Sequence, residues 1–250
     1  MPIFSFLLPV FKIKKSEELS IKKRIIVDIL SLIAIGSIDV SLLIVYIGVF
    51  LVIEGLYYYF EYRRRQTAIF DRIAITSIVV TSIMAIFGFL MKTELLTMSE
   101  TLNALYVQKL GMTAKEINEI FMYIRENSLF LLFIYVGITT YLSYYFLKRK
   151  SYFKWEISYI WVVPYIITFF IINIFKFDNF YINNIFNITK VMYILFGIKV
   201  MASFFGKRIN FKGLPKILSV VLALNFPTIT FILGVIKSFN FKMKVRVIKK

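Results

Sequence analysis

The residues with the most capacity for chemistry are the few charges that stand inside apolar runs. Glu54 lies in VSLLIVYIGVFLVIEGLYYYF, residues 40–60, and Asp39 immediately precedes that run. Lys199 lies in the apolar run 186–206, one turn before Ser203, and Asn225 precedes a proline inside the run 217–236. A charge at bilayer depth is costly and by default marks a functional site. Asp39 and Glu54 are 15 residues apart, about 22 Å along a helix, so they cannot share one ion. Asp39 is expected at the N-terminus of its helix, where the dipole favours an anion. Glu54 is open to more than one reading. Either it lines a substrate or gating site, paired with Lys199, or it reaches toward the interface to pair with an arginine from a neighbouring loop, or it hydrogen-bonds to Tyr58 at i+4. Asp28, one turn from Lys23 and Arg24, reads as interface chemistry. Glu54, Lys199 and Asn225 are the candidate substrate-binding or gating residues, with Asn173, Asn187 and Thr228 as uncharged polar contacts.

Other chemistries find little support. The 250 residues include no cysteine and no histidine, which removes disulfides, thiolate or imidazole metal ligands and the commonest nucleophiles and bases. No carboxylate cluster suggests a metal. Gly206-Lys207 is followed by Arg208, so no phosphate-binding loop is present. No nucleophile converges with an acid–base pair, and the expectation is a protein that is not an enzyme and takes no cofactor. Lys and Arg number 31 against 14 Asp and Glu, a formal +17. The basic residues fall in short clusters between apolar runs, as in cytoplasmic loops, rather than as a nucleic-acid footprint.

The elements that must position these residues are membrane spans. Hydrophobic residues make up 59% of the chain, against 45–50% in a soluble domain, and they gather in runs of about 20, enough to cross about 30 Å of hydrocarbon. The fold class is therefore all-α: a polytopic transmembrane bundle of six to seven hydrophobic segments, built as one integral membrane domain over 1–250. Residues 1–11 read as an interfacial segment and 12–24 as a basic cytoplasmic one, together a basic N-terminal segment 1–24. A short or re-entrant helix is expected over 25–37, a turn at Gly36–Asp39, and spans at 40–60, 73–91, 128–147, 157–175 and 186–206. Tyr57, Tyr58, Tyr59 and Tyr62 before Arg63–Arg65, and Tyr141, Tyr144 and Tyr145 before Lys148–Lys150, mark cytoplasmic ends. Ser77, Thr81, Ala85 and Gly88 give one span a small-residue face for close helix packing.

Residues 92–127 form an extramembrane helical connector. Thr97–Glu100 and Thr113–Glu116 both match a capping box. Ile117, Ile120, Phe121 and Ile124 recur at helical spacing. Two short amphipathic surface helices follow, either a lid over a cavity or a packed connector. The run 217–236 is interrupted by Asn225-Phe226-Pro227. With basic residues on both sides, either it is a re-entrant hairpin, or it crosses and one basic loop lies on the unexpected side. Both termini, including the basic tail 237–250, are placed in the cytoplasm.

Three stretches carry a resemblance: ALYVQKLGMTAKEINEIFMYIRENSLFLLF, YLSYYFLKRK, and FGIKVMASFFGKRINFKGLPKILSVVLALNFPTITFILGVIKSFNFKMKVR. In their order and pattern the chain resembles the YybS-like family of bacterial membrane proteins, a domain of unknown function, over about three quarters of its length. Its N-terminal part is shorter than that family's pattern. The family is distantly similar to the substrate-binding S components of energy-coupling-factor transporters. That resemblance implies a bacterial inner-membrane, transport-related component that binds a small molecule and relies on a partner ATPase and coupling subunit. The alternative is a membrane scaffold or regulator that binds protein partners and no small ligand.

Overall fold

The computed structural model describes residues 6–93, 97, 101, 113–148, 155–209, 211 and 213–239. All regular structure there is helical. The helices form two compact units, Met1–Trp155 and Glu156–Lys250. Among the described residues four helices are long and apolar enough to cross a membrane, or five if the bent pair near the C-terminus is one span. The expected count of six to seven hydrophobic segments is not reached by this measure: Ile21–Ile38 carries too many charges and Tyr159–Asn173 is too short to pass as a span.

In the first unit α1 is Leu7–Glu17, α2 Ile21–Ile38, α3 Val40–Tyr62, α4 Ile69–Leu90, α5 Ala114–Glu126 and α6 Ser128–Leu147. The turn expected at 36–39 is a single extended residue, Asp39, whose carboxylate accepts a 2.6 Å hydrogen bond from the Ser41 amide and caps α3. Next in α3 come π-helical turns over Tyr46–Leu51, each taking in about one residue more than an α turn. Gly48 lies inside them, where a Cβ would come 2.8 Å from Met84 Sδ. Eight steps separate Tyr46 from Glu54. With the extra residue absorbed, those steps close about two whole turns, so both side chains stay on the buried side of α3. The core gathers Ile13, Val49, Ile53, Tyr57, Val80 and Tyr144 from α1, α3, α4 and α6. Ser77 and Thr81 of the small-residue face are buried there. The second capping box forms: Thr113 Oγ1 accepts from the Glu116 amide, and the Glu116 carboxylate accepts from the Thr113 amide. Of the first, at Thr97–Glu100, only Thr97 is among the described residues, helical and with its hydroxyl donating to the Thr93 carbonyl at 3.1 Å; residues 98–100 lie outside them.

In the second unit α7 is Tyr159–Asn173, α8 Phe180–Gly206, α9 Leu214–Asn225 and α10 Pro227–Ser238. The sequence reading started α8 near 186. It starts six residues earlier because Asn179 caps it, accepting a 2.9 Å hydrogen bond from the Tyr181 amide. α9 and α10 meet at 115° across Phe226, where the proline removes an amide and stops the α9 ladder. Each arm has 12 residues, about 18 Å, short of the hydrocarbon thickness. Two glycines let α10 lie directly on α8. A Cβ on Gly197 would fall 2.0 Å from the Thr230 carbonyl oxygen, and one on Gly234 would fall 2.2 Å from that of Tyr193. Around this crossing Tyr165 packs on Phe231 with ring centres 4.4 Å apart.

Candidate functional site

The polar chemistry of the first unit is arranged along α3. Glu54 sits eight residues before Tyr62, about 12 Å from the end of the helix, and is 7% exposed. Its partner is Lys12 of α1, whose Nζ lies 2.6 Å from Glu54 Oε2 and 2.7 Å from Asp28 Oδ1. The same ammonium stands 5.2 Å from the centre of the Tyr46 ring, a favourable cation–π distance. One cation thus ties α1, α2 and α3. Burial pulls the Lys12 ammonium down, but Asp28, Glu54 and Tyr46 outweigh it and hold Lys12 above the ordinary lysine range. A short distance along, Arg24 of α2 lies 5.4 Å from the centre of the Tyr58 ring.

Two turns beyond Glu54, Glu61 organises a second cluster. Arg72 Nη1 donates to Glu61 Oε1 at 2.9 Å, and the Lys148 ammonium binds the other carboxylate oxygen. Arg72 also donates to the carbonyls of Thr67 and Arg65, so it closes the link between α3 and α4. Glu17, Tyr57, Glu61, Tyr62, Arg65 and Lys148 line an open, mostly polar cleft of about 320 Å³ here. Between the two clusters run buried hydroxyls. The Tyr144 hydroxyl donates to the Ile53 carbonyl at 3.1 Å and lies 3.3 Å from Thr76 Oγ1. α3 therefore carries two separate polar clusters, one at Glu54 and one at Glu61, with the Thr76–Tyr144 hydroxyl pair bonded to the backbones of α4 and α3.

The sequence-based candidates fare differently. Glu54 is buried on α3, and its cation comes neither from Lys199 nor from a loop arginine but from Lys12 of α1, in the segment read as basic and cytoplasmic. Asp28, read as interface chemistry with Lys23 and Arg24, instead binds Lys12. Lys199 is half-buried on α8, with Glu156 as the charged group whose field reaches it. Asn225 is exposed at the end of α9 and donates to the Val221 carbonyl at 2.8 Å. Asn173 does the same to Phe169. These amides satisfy their own helix backbones. Glu61, Arg72 and Tyr144 were missed. Tyr144 was read only as a belt residue, whereas its ring is fully buried.

No family model, curated protein or solved structure matches the chain. The functional reading therefore rests on this geometry.

Proposed function

We propose that the chain is a multi-pass protein of a bacterial inner membrane and a transport-related component, binding a small polar molecule without hydrolysing ATP itself. The observation that carries this reading is the pair of charged clusters on one apolar helix, the buried Lys12–Glu54 pair and, two turns along α3, the cleft at Glu61. Charges held at bilayer depth are expensive, and pathways for ions or small solutes are a principal reason for keeping them. The cleft offers both signs of charge, Glu17 and Glu61 against Arg65 and Lys148, which suits a small zwitterionic or anionic polar solute. Tyr57 and Tyr62 supply flat apolar walls. In this reading an ATPase and a coupling subunit furnish the energy, and the chain is not an enzyme.

One observation favours the second reading, a scaffold with protein partners only. Glu54 and Glu61 are already neutralised by the chain's own cations, so neither calls for a ligand's charge. Native mass spectrometry of the protein, gently extracted from its own membrane, separates the two. A retained small molecule, lost in Glu61→Gln, or an ATPase and coupling partner at fixed stoichiometry, is the expected result. A ligand-free chain bound only to other proteins would overturn it in favour of the scaffold.

A further inference from the structure

The charge distribution of α2 is inverted relative to a helix in water. Its half-buried positions include Arg24, Asp28, Leu32 and Ile35, which share one face at helical spacing. That face carries Arg24 and Asp28 and is turned toward the protein, Arg24 standing over Tyr58 and Asp28 binding Lys12, while Lys22 and Lys23 are exposed in the first turn. Ile25, Ile26, Val27, Ile29, Leu30 and Ile33 are all exposed, Leu30 and Ile33 by 60% each. None of the described side chains of α2 is fully buried. A helix in water places its residues the other way round.

The partners of α2 fix its direction. Arg24 meets Tyr58, Asp28 shares Lys12 with Glu54, and a Cβ on Gly36 would come 3.3 Å from Leu43. Positions rising along α2 meet positions falling along α3, so the two helices are antiparallel. The 18 residues of α2 span about 27 Å, close to the hydrocarbon thickness. Its basic start, Lys22 to Arg24, then shares an end with Arg63 to Arg65 of the α3 terminus.

We propose that α2 is a lipid-facing membrane helix, paired antiparallel with α3, its charged stripe turned inward and its apolar arc against the acyl chains. The width of the arc selects lipid over a second copy of the chain. At about 100° per residue the six exposed side chains cover roughly 200°, whereas one packed partner takes a stripe of roughly 100°. The arc is also dominated by bulky side chains, and close helix pairing in a bilayer favours small ones. The inference does not depend on whether the protein binds a solute.

The chain has no cysteine, so each engineered one is unique. The experiment uses the full chain in membrane vesicles, with Lys23→Cys, Leu30→Cys and Ser37→Cys exposed to a membrane-impermeant maleimide. Positions 23 and 37 should react from opposite faces. Leu30→Cys should react at least about tenfold more slowly than either, because a thiol in lipid does not ionise. A nitroxide on Leu30→Cys should collide freely with oxygen and rarely with an aqueous nickel chelate. Labelling of 23 and 37 from the same face, or fast labelling at 30, would overturn the proposal. A nitroxide shielded from both colliders would put a protein surface there instead of lipid and would also overturn it.

Discussion

The two units hold themselves together by different means. In Met1–Trp155 three helices converge on one ammonium, and a second set of ion pairs closes the link from α3 to α4. In Glu156–Lys250 the helices α8 and α10 approach until each meets the other's backbone, with Gly197 and Gly234 at the crossing and rings of Tyr165, Tyr193 and Phe231 around it. Charge pairing is specific but fragile, since losing one partner strands the other in a medium that cannot solvate it. Glycine crossing has no such partner to strand. It fails only by addition of volume. The contrast suggests where function lies: electrostatic interactions can be rearranged by a solute or a proton, whereas a backbone-to-backbone contact serves packing alone.

The comparison can be broken at its strongest point first. Glu54→Leu leaves Lys12, whose side chain is 12% exposed, with Asp28 and the Tyr46 ring but without its closest carboxylate. The expected cost is about 3–5 kcal/mol, the usual range for removing one partner of a buried pair, read as a fall in thermal unfolding temperature in detergent. The same contact has a pH signature. Lys12 titrates above its unfolded value, so its contribution is complete below about pH 10.4 and is lost as pH rises through the folded value. Unfolding temperature should thus be insensitive to this group near neutrality and fall in strong alkali, and Lys12→Met should remove that alkaline fall.

In the second unit Gly197→Ala should cost up to about 3 kcal/mol, the upper part of the overpacking range, because its neighbour is the backbone of Thr230. Gly55 on α3 is the control. Nothing lies within 4 Å of its would-be Cβ, so Gly55→Ala should change stability by less than about 1 kcal/mol, the gain being helix propensity. If both substitutions are equally harmless, the α8–α10 crossing is looser than described. The smallest effect belongs to α5. Thr113→Ala should lower stability by about 1 kcal/mol or less, as for other lost N-caps. The backbone and hydroxyl of Thr113 hold the Glu116 carboxyl below its ordinary value. Its cap is therefore intact above the unfolded carboxylate range and is lost as pH falls through the folded value. Amide protection factors in the first turn of α5, corrected for the intrinsic exchange rate, should fall in acid for the wild type and be low throughout for Thr113→Ala.

Local chemistry was legible in the sequence where the partners are close in the chain. Asp39 announced the start of α3, Thr113 and Glu116 announced that of α5, and Pro227 announced the break after Asn225, because each acts on backbone within a few residues. The long-range pairs were not legible. Lys12 reads as one more basic residue in a basic segment, and nothing local says that its helix turns it toward Glu54, 42 positions away. The π-helical turns of α3, which keep Tyr46 and Glu54 together, disturb the 3.6-residue period that a sequence reading relies on. Lys148 read only as part of the basic end of a span, and nothing singled out Glu61, since periodicity does not reveal that α3 and α6 end side by side.

If the Lys12–Glu54 contact organises the first unit, its two side chains are energetically coupled, and a double-mutant cycle measures that coupling. Thermal unfolding would be followed for Lys12→Met, Glu54→Leu and the two combined. Each single change should destabilise strongly. The pair should recover most of the loss, because an apolar pair of similar volume replaces a buried ion pair at little cost, while Asp28, with its side chain 35% exposed, retains access to solvent. Losses that simply add in the double variant would show that the two side chains do not act together and would contradict the account.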